Sequence, residues 1–194
     1  MYLPRFKSML RGKFARSENG AAHLEAVIMV PLMFMVIIAS MTMLDLTRQH
    51  SMHTKAAFTI GDMVSRETLP IDAAYLEGTH NLLNTMTRTP QDSTVRLSIV
   101  RFDSTDNRIK LDWSQTAGPS QPLTEAAVTD WTERLPNMVH NERMIIVETF
   151  ARYNPPFEIG LGIPEIDNFV FTRPRYTPQV LWLDAPDPQF SGSS

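Results

Sequence analysis

The chain has 194 residues, with 18 Lys+Arg, 21 Asp+Glu, 14 prolines and no cysteine. That length allows one domain of about 100–150 residues with a smaller segment beside it, and a hydrophobic share of 43% excludes a disordered chain and a polytopic membrane protein. Without cysteine there is no thiol nucleophile, no thiolate metal or iron–sulfur site, no disulfide framework and no cysteine-linked lipid anchor.

Charge is distributed unevenly. Residues 1–20 carry Arg5, Lys7, Arg11, Lys13 and Arg16 against the single acid Glu18, and the remaining 13 basic and 20 acidic residues lie beyond. Next comes AVIMVPLMFMVIIASMTML, Ala26 to Leu44, 19 residues without a charge, bounded by Glu25 and Asp45. At about 1.5 Å per helical residue it spans roughly 28 Å, close to the ~30 Å hydrocarbon core of a bilayer. Buried helices of soluble cores rarely run this long without a charged face. Positive charge stays on the cytoplasmic side, so the expected N-terminus is cytoplasmic and residues 46–194 are outside. In a bacterium with two membranes, outside means the periplasm or beyond.

A basic start and an apolar run have three readings. A secretory signal peptide fits the start, but its apolar region is usually ~7–15 residues, and Ala39-Ser40-Met41 is a poor match to a small-residue cleavage site. A signal anchor that is never cut fits the span itself. The third reading turns on the junction Ser17-Glu18-Asn19-Gly20-Ala21-Ala22-His23-Leu24-Glu25-Ala26-Val27. A glycine closes the basic segment, two alanines follow, and one carboxylate heads the apolar run. An acid at the centre of a membrane helix costs about 2.5–3.5 kcal/mol, less near the interface. Glu25 is therefore either an interfacial residue reaching headgroups or a polar group kept for a partner.

The stretch ENGAAHLEAVIMVPLMFMVIIASM resembles the N-terminus of TadE-like pseudopilins, minor components of the Tad (Flp, type IVc) pilus. AAFTIGDMVSRE, Ala56 to Glu67, resembles that family's segment after the membrane helix. The resemblance implies a leader of residues 1–20 removed by a prepilin peptidase, with Gly20 its last residue and Ala21 the first mature one. Glu25 then falls at the fifth mature position and Pro31 at the eleventh. It also implies the partners: the prepilin peptidase, the major Flp pilin, a sibling minor pilin, the inner-membrane Tad machinery and the inner membrane. The expected role is pilus assembly for surface adhesion and biofilm formation. A different class of reading is an uncleaved membrane-anchored periplasmic scaffold or binding protein without a pilus role.

The residue types suit such processing. Gly20 lacks a side chain and disfavours helix, so the chain can extend there for cleavage. The basic leader holds the bond beside the headgroups. Cleavage frees an ammonium on Ala21, four residues before Glu25, so the two share a helix face. Pairing in a low-dielectric setting is stronger than on a wet surface, and assembly would supply Glu25 with an amine from its own chain or a neighbour's. Pro31 removes one helix hydrogen bond and bends the helix; membrane helices commonly tolerate proline. Met29, Met33, Met35, Met41 and Met43 read as flexible apolar filler.

Beyond the span, residues 46 to about 65 keep a helical pattern, with Leu46, Ala57, Ile60 and Val64 near one face. This predicts a stalk. His50 and His53 are three apart without a third ligand and read as solvated or interfacial. Leu69-Pro70 ends the helix. Ile71 to Thr87 reads as a second helix with Asp72 in its first turn, and Thr89-Pro90 stops it. The period then changes to two. Val95, Leu97 and Ile99, the turn Asp103–Asn107, and Ile109, Leu111 and Trp113 form a strand–turn–strand pattern. Residues 115–122 read as a loop and Leu123 to Leu135 as a short helix capped by Thr124. Met144 to Tyr153 reads as a third strand and Phe169 to Arg173 as a fourth; residues 184–194 read as a flexible tail. The expected fold class is α+β: a long N-terminal membrane-spanning helix, a helical stalk and second helix over 46–90, and a head over 91–183 with an antiparallel sheet.

No catalytic constellation is legible. G-x-S-x-G, H-E-x-x-H and the phosphate-binding glycine motif do not occur. The five histidines are scattered at 23, 50, 53, 80 and 140. Glu165 and Asp167 read as loop solvation, and Tyr153-Asn154-Pro155-Pro156-Phe157 as closing the core at a strand end. No enzyme, cofactor or metal is expected, and the acidic head argues against binding nucleic acid.

Overall fold

The structure, a computed structural model, describes residues 18–88, 93–153 and 165–184, with side chains from Glu25 onward. Helix α1 (Glu18–Arg66) has 49 residues and includes Pro31. The chain divides into two units, the first running to Asp45 and the second starting at Leu46.

In the first unit the described residues are helical. Val27, Met29, Phe34, Met35 and Leu44 are each more than half exposed. Most of this stretch's apolar side chains are thus exposed, while Ile38 and Ala39 are half-buried and Thr42 is buried. It is the one helix among the described residues long and apolar enough to cross a membrane. Its two hydroxyl residues are satisfied within the helix: Ser40 donates to Val36 O at 2.8 Å and Thr42 to Ile38 O at 2.9 Å. Such back-bonding removes the need for water.

The second unit is α+β. Helix α2 (Ala73–Thr87) is capped by Asp72, whose carboxylate accepts from Tyr75 N–H at 2.8 Å, and it ends at Arg88 in the left-handed region (φ 54). Strands β1 (Thr94–Asp103), β2 (Arg108–Ala117), β3 (Arg143–Arg152) and β4 (Glu165–Thr172) form one sheet in the order β2-β1-β3-β4, every neighbouring pair antiparallel. Between β2 and β3 lie a single helical turn, α3 (Glu125–Val128), and a 3-10 turn, Trp131–Glu133.

The sheet is covered on both faces, which explains why most residues of β1 and β3 are buried. On one face Val95, Leu97, Ile145, Val147 and Val170 meet Ala56, Ala57, Ile60 and Val64 of α1 and Leu76 and Leu83 of α2. On the other, Val100, Met144 and Ile146 meet Val128 and Leu135. A bulge in β2 interrupts the β1–β2 register between Ile99 and Val100 and leaves Asp112 without an opposite residue. The bulged carboxylate instead accepts from Arg101 at 2.9 Å and Arg143 at 2.7 Å, two arginines that face each other across β1 and β3.

A C-terminal strap completes this unit. Residues 71 and 182 form a parallel bridge, Arg175 N–H donates to Ser65 O at 2.8 Å, and the Trp113 indole donates to Val180 O at 2.9 Å. The strap thereby joins the end of α1, the connection to α2 and the edge of β2.

Several expectations are corrected. Residues 115–117 continue β2, because Gln115, Thr116 and Ala117 pair with Leu97, Arg96 and Val95. The single helix expected over 123–135 is two short turns, with Val128 buried on the first and Leu135 buried just past the second. β4 begins at Glu165, so Glu165 and Asp167 are strand residues and not loop residues; their side chains alternate outward from buried Ile166. His53 is 1% exposed, packed in the second unit rather than solvated. Residues 1–17, Thr89-Pro90, Asn154–Phe157 and the tail beyond Asp184 lie outside the described residues.

Candidate functional site

The helix heading the chain is where the sequence-predicted site residues fall. The backbone of Gly20 and Ala21 is helical, two and three residues into α1. Glu25 is one turn further on and exposed. The expected spacing of one turn between Ala21 and Glu25 is thus kept by the backbone. The bond after Gly20 lies within the helix. The helical assignment continues through Pro31. Proline's missing N–H leaves the carbonyl of Val27 without its usual partner at that turn.

Several polar groups of the second unit tie its elements together. His80 Nε2 lies 2.8 Å from Ser93 O and 3.1 Å from Ser93 Oγ, and Ser93 Oγ donates to Asn84 Oδ1. A histidine beside a serine suggests a nucleophile and its base. Chemistry here opposes that. A nitrogen 2.8 Å from a carbonyl carries the proton, so it has no lone pair to take one from Oγ, and Ser93 is fully buried. The trio ties α2 to the start of β1.

At the β1–β2 turn, Asp103 accepts from Lys110 Nζ at 2.6 Å and from Thr105 N–H at 2.9 Å. The lysine hydrogen bond, then the backbone one, holds the Asp103 carboxyl well below the usual carboxylate range and raises Lys110. His140 Nδ1 accepts from Ser104 N–H at 3.1 Å, closing the same turn. On the sheet, Arg96 and Glu148 form an ion pair at 2.7 Å with side chains 14% and 7% exposed. A cavity of about 360 Å³ opens beside it, lined by Thr94, Pro119, Ser120, Phe150, Ala151, Arg152 and Glu165. Among the described residues no group of three or more His, Asp or Glu is placed to hold a metal ion.

His53 differs from its expected role most. Burial, and then the charge of neighbouring His50, push its imidazole below the ordinary histidine value. Its signal in the sequence was its place three residues before Ala56 and four before Ala57, on the stripe that becomes the core.

The described residues thus comprise a largely exposed apolar helix and a small α+β unit that follows it in the chain. In comparisons with known proteins, no family model, no curated protein and no solved structure matches the chain.

Proposed function

We propose that the chain is a TadE-like minor pilin: an inner-membrane precursor cut after Gly20, anchored and assembled through Ala21–Leu44, with residues 46–194 in the periplasm. The observation that carries this reading is the uncovered apolar helix, headed by Glu25 one turn after Ala21 and preceded by a basic segment. A largely exposed apolar helix is stable only in lipid or against partner helices. Glu25 in that setting needs a counter-charge, and a freed Ala21 ammonium supplies it. The partners of this reading are the prepilin peptidase, the major Flp pilin and a sibling minor pilin, with the inner-membrane Tad machinery.

The second unit acts in this reading by binding, not by catalysis. It would prime or cap a pilus, or link it to its machine.

One observation favours the second reading, an uncleaved periplasmic scaffold. The bond after Gly20 is helical, and an anchor that is never cut requires no opening there. Intact-mass measurement of the protein from its native host decides between them. An N-terminus at Ala21, with loss of about 2 kDa (~110 Da per residue from the chain's length and mass), supports the pilin. A full-length chain in cells that build normal pili supports the scaffold.

A further inference from the structure

One end of the sheet gathers Thr94 at the start of β1, Ala117 at the end of β2, Arg152 at the end of β3 and Glu165 at the start of β4, because every neighbouring pair is antiparallel. Two contacts fix the level of this end along α1. Thr54 Oγ1 donates to Asn168 Oδ1 at 2.8 Å, and a Cβ on Gly61, seven residues on, would lie 3.8 Å from Thr172. β4 therefore runs beside α1 in the same direction. From Asn168 back to Glu165 is three strand residues, about 10 Å, the rise of about seven helical residues. The end of the sheet is thus level with about residue 47 of α1, where the second unit begins and directly past the apolar run that ends at Leu44.

The cavity of about 360 Å³ opens at this end. Thr94 stands opposite Phe150, and Arg152 opposite Glu165, so all four belong to the sheet face that carries Met144 and Ile146, away from α1 and α2. Pro119 and Ser120 wall the cavity from the segment after β2, and Ser120 Oγ donates to Thr94 Oγ1 at 3.3 Å. The next charges along this face, Arg96 and Glu148, neutralise each other at 2.7 Å. Arg152 and Glu165 do not. Both are exposed, they line one cavity from directly opposite positions, and neither forms an ion pair among the described residues. The lining therefore offers one cation and one anion, with two hydroxyl groups beside them.

We propose that this cavity is a site for the phosphoethanolamine headgroup of a membrane phospholipid. Arg152 takes the phosphate and Glu165 the ammonium, both through charge-assisted hydrogen bonds. The hydroxyls of Ser120 and Thr94 serve the remaining phosphate oxygens. A headgroup with one charge of each sign matches the lining. A phosphoglycerol headgroup brings no cation to Glu165, and the ammonium of phosphocholine has no N–H to donate. The cavity falls within the range of small-ligand clefts, about 300–1,000 Å³. Its level selects a lipid over a free zwitterion such as an amino acid. That step rests on the membrane-spanning reading of Ala26–Leu44, which puts the headgroup layer beside residue 47. Occupancy holds this end of the sheet on the membrane surface.

Because the chain has no cysteine, one introduced thiol reports occupancy. Full-length Ser120→Cys is placed in nanodiscs of phosphatidylcholine, alone or mixed with phosphatidylethanolamine or phosphatidylglycerol, and alkylated with a water-soluble maleimide. Phosphatidylethanolamine alone is expected to slow the reaction, about fivefold at an occupancy of about four-fifths. Adding Glu165→Gln should remove the slowing, and Glu165→Asp should keep most of it. Val139→Cys, at a position 73% exposed beside the opposite end of the sheet, should react at one rate in all three lipids, with or without Glu165→Gln, which also reports that the variant is folded. Equal rates for Ser120→Cys in the three lipids, equal slowing by phosphatidylethanolamine and phosphatidylglycerol, or the same protection from soluble phosphoethanolamine or glycine in phosphatidylcholine discs would overturn the proposal. Phe34→Cys separates this site from the reading beneath it. If that thiol is unreactive in every disc, the span is in the bilayer, and failure at Ser120→Cys counts against the headgroup site alone. A reactive thiol there overturns both.

Discussion

Arg96 and Glu148 stand opposite each other on β1 and β3, and the guanidinium donates to Glu148 Oε2 through both Nε and Nη2 at 2.7 Å. The same guanidinium lies 5.0 Å from the centre of the Phe150 ring and donates to Gln121 O at 3.1 Å. One side chain thus gathers β1, β3 and the segment after β2. Breaking a buried pair by removing one member leaves a charge without compensation and costs about 3–5 kcal/mol. Glu148→Leu is expected to lower stability by about 3 kcal/mol, toward the lower end because Arg96 keeps Gln121 O and Phe150. Urea denaturation of the full-length chain measures it. Replacing both members, Arg96→Met with Glu148→Leu, should recover most of the loss; a double variant as unstable as the single one would show that the pair itself, and not the orphaned charge, sets the stability.

Gly118 turns the chain out of β2 at φ 114. A Cβ there would sit 2.6 Å from Ser93 O and 2.9 Å from Thr94 Cα, both backbone atoms that cannot swing aside. Gly118→Ala is expected to destabilise the second unit by about 1–3 kcal/mol, the usual range for a forced left-handed residue. Gly78→Ala offers the contrast. Nothing lies within 4 Å of its Cβ position and it is inside α2, so the same change should stabilise by about 0.5–1 kcal/mol. Equal midpoints for the two variants would contradict the argument.

His53 makes stability depend on pH. Its folded value is depressed by burial and by His50, while the unfolded chain titrates near the ordinary ~6.5. The unfolded state therefore takes up the proton first. Stability is complete above pH ~6.5, declines as the pH falls toward the folded value, and is level below it. His53→Leu should flatten that decline. The urea midpoint is read from about pH 7.5 to 5, and a slope unchanged by the variant would remove His53 as its cause.

Glu25 is the test of assembly. Glu25→Ala should leave membrane insertion intact, because an acid at this interface hinders insertion more than alanine. On the proposed pilin reading it should sharply reduce incorporation into pili, because a freed Ala21 ammonium would then have no partner. Unchanged pilus number and incorporation would mean that Glu25 is an interfacial residue only. Asp45, at the other end of the span, is the control for a general effect of charge.

Much of this protein follows from local chemistry that needs no neighbours. The uncharged run from Ala26 to Leu44 is legible because length and hydropathy suffice to mark a helix long and apolar enough to cross a membrane. The strand through Val95, Leu97 and Ile99 is legible from alternation, and Pro70 marks the boundary between two helices, because proline acts within a turn. Tertiary structure decided the rest. His53 is polar by type, and only the folded unit makes it a buried residue. Glu165 and Asp167 look like a loop until β3 supplies the hydrogen bonds that extend β4 to them. Asp112 is one more alternating residue until the bulge turns it toward two arginines. The strap joins residues 71 and 182, more than a hundred positions apart, and no local pattern encodes a contact whose reason is the shape of the surface it closes.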